Sequence, residues 1–96
     1  MHHIFEIKDK TNRRIRLTVE RWRHLSKHPD VLNKLSSIQE TLKKPLKITP
    51  YVLDESINYY YTYFKARKTA KYLRVVVKYL NGDGFLITAY FVDKIQ

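Results

Sequence analysis

Ninety-six residues, 44% hydrophobic and 14% aromatic, suffice for one compact domain over residues 1–96 and exclude a disordered chain. Nineteen Lys and Arg against nine Asp and Glu leave a net charge of +10, a field that attracts polyanions and makes RNA or DNA the first partner to consider. The lack of cysteine excludes disulfides and thiolate metal sites, and no apolar run approaches the ~20 residues of a membrane helix; without the apolar stretch of a secretory signal at its start, the chain is expected in the cytoplasm.

Residues 4–8 and 14–18 alternate apolar and polar side chains around Lys10-Thr11-Asn12-Arg13. This predicts a β-hairpin with Phe5 and Ile7 on one face of its first strand and Ile15 and Leu17 on one face of its second. Thr18 then stands as the N-cap of a short helix, with Glu20 in the first turn where the helix dipole favours an anion. That helix extends to about His28, because Pro29 disfavours helical geometry in the residue before it. A second helix is predicted over residues 30–44, with Val31, Leu35, Ile38 and Leu42 as its buried stripe and Lys34, Glu40, Lys43 and Lys44 elsewhere. Basic residues and Pro45 end it.

Strands follow at residues 46–53 and 59–64, then a basic loop containing Lys65, Arg67, Lys68 and Lys71. Strands at 73–80 and 85–92, joined through Asn81-Gly82-Asp83-Gly84, close the domain. The expected fold is α+β: after the hairpin, two N-terminal helices packed on a mainly antiparallel, four-stranded twisted sheet.

The register of the last hairpin decides which side chains share a face. An odd-numbered loop, with a glycine absorbing a bulge, puts Leu80 opposite Gly84. Leu73, Val75, Val77 and Tyr79 then share a face with Phe85, Ile87, Ala89 and Phe91, while Arg74, Val76 and Lys78 lie beside Leu86, Thr88 and Tyr90. A one-residue slip would set charge against the core, which register selection opposes. One face is therefore dry enough to hold the helices, and the other gathers a guanidinium, an ammonium, a hydroxyl and a phenol.

Cleaving RNA without a metal requires a base for the 2′-hydroxyl proton, a cation or donor for the charged phosphorane, and an acid for the leaving oxygen. Histidine suits the proton-transfer roles and Arg or Lys the phosphate. His24 and His28, spaced i,i+4, fall on the polar arc of the first helix, opposite Val19, Trp22 and Leu25. They read either as an acid/base pair or as two solvated surface histidines. A zinc site is not indicated, since no third ligand and no adjacent Glu accompany them; no metal and no cofactor are expected. Arg74, Lys78, Thr88 and Tyr90 read either as a phosphate-binding group or as an ordinary solvated sheet face. In the run from Asn58 to Phe64, alternate tyrosines belong to the core, while the other set, Tyr61 among them, could stack on unpaired bases.

The segment Arg21-Trp22-Arg23-His24-Leu25-Ser26-Lys27-His28-Pro29-Asp30 resembles the "RW-x-H-I…HPE" helix of the phage-type barnase–EndoU–colicin–RelE-like (PBECR) nucleases. Val75-Val76-Val77-Lys78-Tyr79 and Thr88-Ala89-Tyr90-Phe91-Val92-Asp93-Lys94-Ile95 are similar to the end of that family, and the order of helices before strands matches over about residues 14–96. The resemblance implies a small metal-independent endoribonuclease, frequently a toxin, that cuts tRNA or mRNA by 2′-hydroxyl attack to a 2′,3′-cyclic phosphate. It makes His28 or His24 the acid/base, Arg74 or Lys78 the phosphate clamp, and Thr88 and Tyr90 hydrogen-bonding groups at the scissile phosphate. Lys94, with Lys65, Arg67, Lys68 and Lys71, would contact the backbone of the RNA. Two alternatives carry the same charge: a non-catalytic RNA- or DNA-binding domain, and a protein whose partner is an acidic antitoxin or immunity protein. Only the nuclease needs a histidine to converge with Arg74, Lys78, Thr88 and Tyr90.

Overall fold

A computed structural model describes residues 3–96. In chain order it contains β1 (His3–Lys8), β2 (Arg14–Thr18), α1 (Val19–Leu25), α2 (Pro29–Leu32), α3 (Leu35–Lys43), β3 (Lys47–Tyr51), β4 (Asp54–Tyr63), β5 (Tyr72–Leu80) and β6 (Asp83–Val92). The strands form one sheet in the order β1-β2-β6-β5-β4-β3. Every neighbouring pair is antiparallel except β2 and β6, which run parallel through Ile15↔Gly84 and Arg16↔Phe85.

This corrects the expected two helices on a four-stranded, mainly antiparallel sheet. The sheet has six strands, is mixed, and carries three short helices. The N-terminal hairpin is part of it because Phe5, Ile15 and Leu17 need a second apolar surface, and beside β6 they become buried. Glycine at position 84 permits the junction. A Cβ there would collide with the Ile15 side chain and press on Tyr79 and the Arg14 carbonyl.

The predicted helix over residues 30–44 is two helices, parted at Asn33 and Lys34, whose ψ angles of 24° and 18° leave helical geometry. The break does not disturb the stripe: Val31, Ile38 and Leu42 are buried and Leu35 packs against them. It lets α2 lie against β6 while α3 lies against β4 and β5. The first helix closes at Leu25, three residues short of His28, and His28 instead precedes Pro29 as the N-cap of α2. At its start, the Thr18 hydroxyl accepts a hydrogen bond from the Arg21 N–H at 3.2 Å, the expected cap.

The last hairpin reaches the expected facing from Thr88 onward only, and by another route. Leu80 pairs with Asp83 across a two-residue Asn81-Gly82 turn, with φ of 54° and 84°, the mirror-image turn whose twist suits a hairpin. The bulge sits inside the strand, where the register shifts between Val76 and Val77 and leaves Ile87 as the extra residue. Beyond it Val76 faces Thr88, Val75 faces Ala89 and Arg74 faces Tyr90. Nearer the turn the odd-loop pairing does not hold: Leu86 pairs with Val77 and is buried, and Phe85 joins Lys78 on the opposite face.

Leu25, Val31, Ile38 and Leu42 of the helices close over Leu73, Val75, Val77, Tyr60 and Ala89 of the sheet. Each such aliphatic side chain contributes about 1.5–3 kcal/mol on burial. All three helices lie on this face. The other face, carrying Arg74, Val76, Thr88 and Tyr90, has no helix over it. Among the described residues no helix is long and apolar enough to cross a membrane.

Candidate nucleic-acid interface

Leu73 and Val75 belong to the core, so strand alternation turns Arg74 to the helix-free face. Its cross-strand partners are Tyr61 on β4 and Tyr90 on β6. The Arg74 Nε donates to the Tyr61 hydroxyl at 3.0 Å, one terminal nitrogen donates to the Tyr90 hydroxyl at 3.0 Å, and the other donates to Gln96 Oε1 at 3.1 Å. The guanidinium also lies 4.6 Å from the ring centre of Tyr59 and 5.4 Å from those of Tyr61 and Tyr90. Only 7% of Arg74 is exposed.

Among the described residues no carboxylate lies within ion-pair distance of Arg74. A guanidinium has five N–H donors, so two remain after these three bonds. Both phenols accept from Arg74, and the buried Tyr61 oxygen also accepts from the Gln96 N–H at 3.4 Å, while the Tyr90 hydroxyl belongs to a ring that is partly exposed. Burial works against the cation, but hydrogen bonds to Tyr90 and Tyr61 outweigh it and keep Arg74 firmly protonated. The same burial raises the neighbouring Tyr59 phenol above its ordinary range, so it stays neutral. The result is a charged, donor-rich site with a deficit of acceptors, the complement of a phosphate.

The other predicted residues are distributed unevenly. Thr88, half-buried, lies on the same face across from Val76. Lys78 also shares the face but sits four residues along β5, about 13 Å from Arg74, and its Nζ pairs with Asp54 at 3.6 Å. Lys94 is exposed just beyond β6. In the β4–β5 loop, Lys65 and Lys68 are exposed and Lys71 is half-buried. Arg67 is occupied: it lies 3.7 Å from the Phe91 ring centre, donates to the Ala70 carbonyl at 3.0 Å and reaches Asp30 at 3.9 Å. It ties the loop to α2.

His24 and His28 are exposed in the helical layer, and no hydrogen bond joins either to the Arg74 group. Their neighbours Leu25 and Val31 pack on the opposite face of the sheet, which therefore stands between the histidines and Arg74. His24 instead borders a recess with Thr18, Glu20 and Arg21. Tyr61, expected to offer its ring to bases, has 0% exposure and serves as a wall of the site. The accessible rings are Tyr63, at 49%, and Tyr90, at 38%.

A second polar cluster lies on the helix-covered face. Asp9, at the end of β1, accepts from the Thr11 N–H at 2.9 Å, the Thr11 hydroxyl at 2.8 Å and the Arg13 N–H at 2.9 Å. The Tyr60 hydroxyl donates to its carboxylate, and the one Tyr79 hydroxyl proton is shared between the Tyr60 oxygen and the carboxylate, which lies 3.2 Å away. Burial alone would raise the Asp9 carboxyl, but the hydrogen bonds from Tyr60, the Arg13 backbone, Thr11 and Tyr79 hold it below the usual range. Burial, then the bond to Asp9, pushes the Tyr60 phenol far upward. The cluster fastens the first hairpin's turn to β4 and β5. Its Asx turn was foreshadowed by Asp9 two residues before Thr11; its tyrosine partners had no such signal. Gln96 and Tyr59 likewise went unrecognised, although Tyr59 shares the Tyr61 face by alternation.

Among the described residues no group of three or more His, Asp or Glu side chains could hold a metal ion. Comparison with protein-family models, curated proteins and solved structures gave no match.

Proposed function

We propose that this chain is a cytoplasmic, metal-independent endoribonuclease that places the scissile phosphate at Arg74. The observation that carries the reading is a nearly buried guanidinium, without a carboxylate partner among the described residues, held by two phenol oxygens that accept from it on the face free of helices. The +10 charge supplies long-range attraction for the strand. Arg74 would hold two phosphate oxygens and neutralise the phosphorane formed as the 2′-oxygen attacks phosphorus. The 2′-hydroxyl proton passes to a base, the P–O5′ bond breaks, and the departing oxygen takes up a proton, leaving a 2′,3′-cyclic phosphate. With both histidines beyond the sheet and Lys78 about 13 Å along β5 and paired with Asp54, proton transfer falls to Tyr90 and Lys94. Tyr90 is the one hydrogen-bonded to Arg74.

Histidines placed in the other layer favour a second reading, a domain that binds RNA at the same site without turning it over. A defined RNA oligonucleotide incubated in EDTA separates the two. Cleavage to cyclic-phosphate ends, lowered by roughly 10²–10³ in Arg74→Lys and unchanged in His24→Ala and His28→Ala, supports the nuclease. Binding that depends on Arg74 without cleavage supports the second reading. An Arg74→Lys protein that binds and cuts like the wild type removes both.

A further inference from the structure

In the tyrosine run from 59 to 63, Tyr60 and Tyr61 are committed to the fold, the half-buried Tyr59 ring lies against the Arg74 guanidinium, and Tyr63 is exposed. Tyr60 is buried with its hydroxyl on Asp9, and Tyr61 is buried with its hydroxyl on Arg74. Tyr63, the last residue of β4, is 49% exposed, and no hydrogen bond of its hydroxyl is found among the described residues. It faces Tyr72 across the β4–β5 ladder, with ring centres 5.3 Å apart and planes inclined at 56°. Rings tilted so far do not cover each other, and the Tyr63 face remains open.

The pair has a definite position relative to the anion site. Along the ladder, Tyr61↔Arg74, Thr62↔Leu73 and Tyr63↔Tyr72 are consecutive, so the tyrosines lie two residues from Arg74 on the same face. That separation is about 7 Å, within reach of a base adjoining a phosphate held at Arg74. Just beyond lies the basic loop, closed by the Phe64 N–H to the Lys71 carbonyl at 2.7 Å, which puts Lys65 and Lys71 beside the pair. An open phenol ring, a phosphate-complementary guanidinium on one side and ammonium groups on the other match one nucleotide of an unpaired strand with its flanking phosphates.

We infer that the Tyr63–Tyr72 pair is a nucleobase subsite, stacking the base next to the phosphate bound at Arg74. The inference rests on the phosphate reading for its position but makes a separate claim, that the protein senses the presence of a base. A cross-strand tyrosine pair that merely stabilised the sheet would contribute to folding without distinguishing one strand from another.

The test uses a short oligodeoxyuridine, which lacks the 2′-hydroxyl and stays intact, and the same strand with abasic positions at its centre. Affinities are measured at low salt by fluorescence anisotropy. The wild type should prefer the base-bearing strand by about 5- to 150-fold, the range of one base–aromatic stack. Tyr63→Leu should abolish that preference while leaving affinity for the abasic strand unchanged, and Tyr63→Phe should retain it. Tyr72→Leu should weaken the preference by loosening the supporting ring. Equal binding of both strands by the wild type overturns the subsite, as does a Tyr63→Leu protein that keeps the preference. Arg74→Gln isolates the underlying reading: undiminished binding of the abasic strand to that variant sinks the phosphate site, whereas Arg74-dependent binding with no base preference sinks only the subsite.

Discussion

Replacing Tyr60 by Phe removes a single oxygen from the buried cluster around Asp9 and leaves the ring's packing in place. The lost hydroxyl bonds both the Asp9 carboxylate and the Tyr79 hydroxyl, while Asp9 keeps its donors from Thr11, Arg13 and Tyr79. The loss is therefore mainly one charge-assisted hydrogen bond, about 1.5–3 kcal/mol. For a domain of this size it corresponds to a fall in Tm of roughly 6–24 °C. Urea unfolding followed by circular dichroism should show a lower midpoint at constant slope. The pH dependence is more diagnostic. Asp9 has its carboxyl depressed in the folded state, so its contribution is present at neutral pH. It is lost as pH falls from about 4, the unfolded value, through the folded one. Without the Tyr60 hydroxyl that depression is smaller, and the gap between variant and wild type should narrow on acidification. A Tyr60→Phe protein within about 0.5 kcal/mol of wild type at neutral pH, well short of the bond's expected worth, refutes the reasoning. A gap that stays constant into acid refutes it too.

Gly84→Ala should destabilise the protein by about 1–3 kcal/mol through the clash with Ile15. Adding Ile15→Val should restore part of that loss, and urea midpoints of the single and double variants would measure the coupling. Gln96→Glu would put a carboxylate where Arg74 now donates to an amide oxygen; RNA affinity should fall about tenfold as the cation is answered internally. Unchanged affinity there would mean that RNA does not use Arg74. Wild-type affinity for single-stranded RNA should fall with log salt at a slope of about −0.7 for each phosphate contacted, and anisotropy across a salt series would expose a salt-independent mode instead.

What the sequence discloses here is local. Alternation placed Phe5, Ile15 and Leu17 inward, the helical stripe placed Val31, Ile38 and Leu42 inward, and Thr18 marked a helix start; all of these depend on residues close in the chain. Alternation does not say which strand will be a neighbour, so the union of β2 with β6 and the edge position of β3 were invisible. A bulge at Ile87 cannot be told from one in the loop by composition, because either restores Arg74 to the side of Tyr90. The histidines illustrate a constraint of layered folds. A helix packed by its apolar stripe on one face of a sheet turns its polar arc away from that sheet, so it cannot meet the polar residues of the far face. Arg74 was legible as a candidate because both its neighbours are aliphatic; its phenolic enclosure required the register of three strands.

The parallel seam between Ile15 and Gly84 joins segments from nearly opposite ends of the chain. From β3 to β6, each strand pairs with the next, so most of the sheet forms from contacts near in sequence, the kind that assemble quickly. The first hairpin can dock only after that surface exists, and docking must close the long intervening loop. It is then held by a two-residue ladder, the Asp9 cluster and the buried side chains of β1 and β2. The hairpin is thus a terminal clasp on a meander, and it should be the first part to open. Hydrogen exchange should show β1 and β2 amides released by a smaller fluctuation than those of β5, and a clasp that opens alone can also close on the meander of a second molecule.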